Sequence, residues 1–85
     1  MAVATFRTRA SSPLKLIVEP WAWESLLLPG DTAVVTLHGP DPAELEVDEK
    51  DSVVIVYGWP GCARCTVAIN GVPRSFESYE GEAFD

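Results

Sequence analysis

Cys62 and Cys65 stand in the spacing Cys-x-x-Cys and are the only thiols in the chain. That spacing suits two kinds of chemistry. In a dithiol redox couple one thiolate attacks and the other resolves, which needs a thiol pKa lowered by a helix N-terminus or a nearby cation. In a zinc site the pair is half of a four-ligand set. Trp59-Pro60-Gly61 precedes the pair, as a tryptophan does in many redox centres, but Thr66-Val67-Ala68-Ile69 follows as strand rather than helix. Arg64 is the one cation in the loop. For zinc, His38 is the sole histidine and no second Cys-x-x-Cys exists. Cys62, Cys65 and His38 are therefore an incomplete metal set that another subunit would have to finish. The plainer reading is a turn cysteine and a strand cysteine with neither task. Likewise His38, with no nucleophile beside it in sequence, reads first as a lone exposed side chain, although Cys62 could approach it in space.

Trp21 and Trp23 are the second candidate. In a strand they share a face, because side chains repeat every second residue. Two exposed indoles on one face of a sheet would stack on a sugar ring or engage a protein. The competing reading is that they fill the thin core of a small domain, as expected also of Trp59. Asp41, Glu44, Glu46, Asp48, Glu49 and Asp51 form an acidic stretch. It lacks the ligand spacing and central glycine of a helix–loop–helix calcium site, and reads as a solvated edge that opposes sheet-to-sheet association.

The elements that would position these residues are short and β-prone. Val3–Ala10 alternates, with Ala4, Phe6 and Thr8 on one face and Thr5, Arg7 and Arg9 on the other. After the turn Ser11-Ser12-Pro13, residues 14–19 form a second strand that Pro20 stops. Residues 21–28 are bounded by prolines and lack a helix N-cap, so an extended segment is expected there. A fourth strand runs Thr32–His38, with Ala33, Val35 and Leu37 on one face. Glu44–Val47 alternates with Leu45 and Val47 inward, and Asp48–Asp51 is expected as a charged turn. Ser52–Val72 reads as the central unit of the fold. Its run Val53–Tyr57 is apolar without a break, the pattern of a strand covered on both sides or central in a sandwich. A Pro-Gly turn then suggests a hairpin into the next strand, and Asn70-Gly71 leads to a last strand over residues 72–76. Residues 77–85 are expected to be an acidic tail.

Size and charge narrow the functions further. Eighty-five residues make one domain with a thin core. Thirteen acidic against six basic residues leave a net charge of −7, and the basic ones are scattered in sequence. Nucleic acid or an anionic membrane is therefore not the expected partner. No stretch has the length of a membrane span or the order of a signal peptide, so the cytoplasm is the expected location and the cysteines are expected as thiols. No cofactor motif occurs, and no cofactor is expected.

Two phrases carry a resemblance. Leu16-Ile17-Val18-Glu19-Pro20-Trp21 is followed by Leu26-Leu27-Leu28-Pro29-Gly30-Asp31; later, Val54–Gly61 ends a strand on Trp59 before Ile69-Asn70-Gly71. This order, over roughly residues 5–73, resembles small uncharacterised bacterial β-sandwich proteins with a Glu-Pro-Trp segment and a Pro-Gly turn. The resemblance implies a cupin-like or jelly-roll-like shape and no activity. The metal site of cupins needs a His-x-His pair and a further histidine, which one histidine cannot supply.

The sequence thus specifies an all-β domain over residues 1–76, a small antiparallel β-sandwich or jelly-roll-like barrel of about seven to eight strands. The expected function is a non-catalytic module that binds a protein or small ligand, or forms a homo-oligomer through an edge strand or the Trp21/Trp23 face. Thiol or metal chemistry at Cys62 and Cys65, and carbohydrate binding at Trp21 and Trp23, are the alternatives.

Overall fold

Strand-forming runs of five to eight residues, separated by Pro, Gly and Asx turns, assemble into eight strands in two sheets of four. The computed structural model describes residues 1–77, with side chains to residue 73. The strands are β1 (Ala2–Arg9), β2 (Leu14–Glu19), β3 (Trp23–Leu27), β4 (Thr32–Gly39), β5 (Glu46–Lys50), β6 (Val53–Tyr57), β7 (Arg64–Ile69) and β8 (Val72–Glu77). The first sheet has the order β1-β4-β7-β8 and is antiparallel. The second has the order β3-β2-β6-β5 and is mixed, because β2 and β6 run parallel. The all-β sandwich expected from the sequence is the fold. The acidic tail lies outside the described residues beyond Glu77, which itself ends β8.

The two inner faces supply one core. Leu16, Val18, Val54 and Val56 from the second sheet are fully buried, as are Ala33, Val35, Leu37 and Cys65 from the first. Alternation is strict in β1 and β4: Ala33, Val35 and Leu37 point in, and Ala4, Phe6 and Thr8 lie on the half-buried side of β1. At about 25 cal/mol per Å² of apolar area removed from water, burying such side chains is the main term holding the sheets together.

Two expectations are corrected. The first concerns Ser52–Val72, which is not a hairpin. β6 pairs with β2 and β5, whereas β7 pairs with β4 and β8, so the Pro-Gly segment carries the chain from one sheet to the other. The apolar strength of both runs made them look like partners; tertiary pairing gave each a different neighbour. Second, β5 begins at Glu46 rather than Glu44 and continues through the residues expected as a turn. The turn is only Asp51-Ser52, both with positive φ (52° and 66°), which closes a two-residue loop between Lys50 and Val53. Val47 is 38% exposed because β5 is an edge strand whose inner side overhangs the core. Arg7, Arg9 and Arg64 lie with His38 on the outer side of the first sheet, and Lys15 and Lys50 on the outer side of the second.

The four crossings between sheets are tied in pairs. Ala10 N–H donates to the Asp31 carbonyl at 2.9 Å and Gly30 N–H to the Ala10 carbonyl at 2.7 Å. Asp31 also accepts from Leu28 N–H (2.8 Å) and from the Asn70 amide (2.9 Å), which together hold its carboxyl below the usual range, the Asn70 bond contributing most.

Candidate functional site

The crossing Gly58–Ala63 gathers most of the residues singled out for chemistry. Trp59 leaves β6 and turns its indole inward over the end of the sandwich, where it is 6% exposed. Its Nε1–H donates to the Pro40 carbonyl at 2.7 Å. Cys62 N–H closes a turn on the Trp59 carbonyl at 3.0 Å, and Trp59 N–H donates to Cys62 Sγ at 3.3 Å. Glycine is required twice. A Cβ on Gly61 (φ 88°) would stand 2.7 Å from Pro40 Cγ. On Gly39 it would meet both Cys62 Sγ and the Trp59 ring at 3.0 Å. The crossing is a packed plug rather than a mobile loop of reactive groups.

Both thiols face the core. Cys62 is 5% exposed and Cys65 fully buried, and neither is bridged. Desolvation pushes the Cys65 thiol up to about 12, with the neighbouring Cys62 adding to the effect. Desolvation also raises Cys62, against the hydrogen bond from Trp59 N–H that lowers it. This is the reverse of what a redox or metal thiolate needs.

His38 does not join them. Its backbone carbonyl accepts from Ala63 N–H at 2.9 Å, but its ring follows the alternation of β4 to the outer face, in register with Arg64. Cys65 pairs with Leu37, the inward neighbour. The sheet therefore separates the imidazole from both thiols. Among the described residues no group of three His, Cys, Asp or Glu side chains could hold a metal ion. The set Cys62, Cys65 and His38 is two buried thiols and a histidine on the other side of the sheet.

The tryptophan pair is also divided. Trp21 lies in the turn between β2 and β3, where Ala22 has φ 57°, so strand alternation does not reach it. It is 5% exposed and its Nε1–H finds no acceptor among the described residues. Trp23 is the first residue of β3, on the inward side and half-buried against the core. The two indoles therefore share no exposed face, and Trp23 alone lines a cleft of about 320 Å³ with Ser25, Val67 and Val72.

Two clefts meet on the outside of the plug and share Tyr57, Gly58, Trp59 and Pro60. One, of about 780 Å³, runs along β5 beside Glu44, Glu46 and Asp48. The other, of about 580 Å³, lies beside Glu19 and Pro20. Their walls offer an aromatic ring and carboxylates, which suit contact with a cationic or apolar group. Cys62, 5% exposed, also lines the second cleft, with its thiol held by the hydrogen bond from Trp59 N–H. Sequence reading missed Tyr57 as a surface residue because it sits inside the apolar run; only the register, placing it between Glu19 and Glu46 on the outer face, shows it.

Comparison of the chain with protein-family models, with curated proteins and with solved structures finds no match to any of them.

Proposed function

We propose that this protein is a non-catalytic β-sandwich module that acts by surface contact, binding a partner or assembling with itself. The observation that carries this reading is the division of groups across the first sheet: Cys62 and Cys65 turn inward and hold their protons, while His38 turns outward. What the molecule offers to others is its sheet surfaces and the acidic clefts around Tyr57. Two unbridged buried thiols fit a reducing compartment, which favours the cytoplasm. The acidic balance of the chain disfavours nucleic acid and anionic membranes as partners.

Thiol or metal chemistry is the second reading, supported by the adjacency of the two thiols. Two measurements decide between them. Under native conditions an aromatic disulfide reagent should label Cys62 and Cys65 only as fast as the protein opens, and protein purified in zinc-containing buffer should retain no stoichiometric metal. Rapid native labelling of one thiol, or one zinc per chain or per dimer, would overturn the non-catalytic reading.

A further inference from the structure

The run Val53–Tyr57 reads as a strand covered on both sides or central in a sandwich; it lies inside its sheet, between β2 and β5, with only one side covered. Val54 and Val56 are fully buried between the sheets, while Val53, Ile55 and Tyr57 lie half-buried on the outer face of the second sheet. Ile17 of β2 stands beside Ile55, and among the described residues no element packs over them. Leu26 of β3, on the same face, is 60% exposed. This is a contiguous apolar stripe on the surface of a chain with a net charge of −7.

The charges around the stripe are ordered by register into three rows across the strands. The first row is Leu26, Lys15, Val53 and Lys50; the second is Glu24, Ile17, Ile55 and Asp48; the third is Glu19, Tyr57 and Glu46. A basic row and an acidic row thus flank an apolar centre.

We infer that a second copy of this chain covers this face, related by a two-fold axis lying in the interface along the middle row. That operation reverses the strand direction, so each basic row meets the partner's acidic row. Lys15 faces Glu19 of the partner subunit, Lys50 faces Glu46 of the partner subunit, and Val53 meets Tyr57 of the partner subunit. Ile17 and Ile55 pack on their own copies at the centre, as a self-complementary interface requires. The two-fold axis along the strands instead sets basic row on basic row. The chosen axis does place Glu24 and Asp48 near their own copies, at the two ends of the middle row. Glu24 pairs with Lys15 of its own chain at 3.3 Å, so Lys15 lies between Glu24 and the partner's Glu19, and the roughly 30° rotation between packed sheets carries the two ends of the row apart. Four strands about 4.8 Å apart and three rows about 7 Å apart make a patch well below the ~800 Å² per partner of a standard interface. The dimer is accordingly weak and concentration-dependent.

This inference rests on the contact-module reading and names the contact. Sedimentation equilibrium of the full chain over about 10–500 µM tests it, the range set by that small interface. A monomer–dimer equilibrium is expected. Lys15→Glu and Glu19→Lys should each weaken it about tenfold by opposing like charges, and an equimolar mixture of the two should restore association, because both cross-contacts are then matched. Lys50→Glu and Glu46→Lys, on the exposed edge strand, should behave the same way. A strict monomer, a dimer indifferent to all four variants, or mixtures no tighter than either variant alone would each overturn the inference. None of those results touches the contact-module reading, which native thiol labelling and zinc retention decide.

Discussion

Cys65 shows how burial sets the behaviour of a single residue. In the fold it keeps its proton to about 12, whereas an unfolded chain releases it near 9.0. The folded value is raised, so the stabilisation is complete below pH 9 and declines as pH rises from there toward 12, because the unfolded state is then favoured by ionisation. Chemical denaturation from pH 7 to 11 should show a downward slope that is smaller in Cys65→Ala; equal slopes would mean the thiol is solvated. Cys65→Ser should cost about 1–3 kcal/mol at pH 7, since a hydroxyl in this apolar setting has to find an acceptor or go without. The spacing of the two cysteines was legible in the sequence. Their inward orientation was not, because it depends on which neighbour β7 pairs with.

Turns and crossings are the elements where local chemistry and tertiary demands meet. Asn70-Gly71 announces its hairpin, and Ile69 pairs with Val72 across it. Asp51-Ser52 gives no such signal, although both residues take positive φ. Because Ser52 has a Cβ in that conformation, Ser52→Gly should stabilise the protein by about 0.5–1 kcal/mol, read as an upward shift of the denaturation midpoint without a change in slope. A fall in stability would show that the Ser52 side chain has a bonding role. Gly39→Ala tests the plug: a methyl group meeting Trp59 and Cys62 together should cost about 1–3 kcal/mol in the same measurement. An unchanged midpoint would mean that the crossing gives way easily.

For the whole molecule, four crossings make the sheets interdependent. Neither sheet is a continuous piece of chain, and both share one core. Unfolding should therefore be a single transition, with tryptophan fluorescence and far-ultraviolet circular dichroism giving the same midpoint. Separate midpoints would show that one sheet survives the other.

Composition, alternation and turn residues were enough to determine an all-β sandwich and the inward faces of β1 and β4, because period-two patterning is a local property of the chain. Partnership between strands is not local. The chain could not say that β6 lies parallel to β2 while β7 joins the other sheet, and the cysteines, Trp21 and Tyr57 took their positions from that choice. The tertiary structure thus turned the Cys-x-x-Cys loop from a hairpin tip into a buried plug between sheets. It also left the other side of the apolar run Val53–Tyr57 uncovered, because a two-layer sandwich can bury only one face of each sheet.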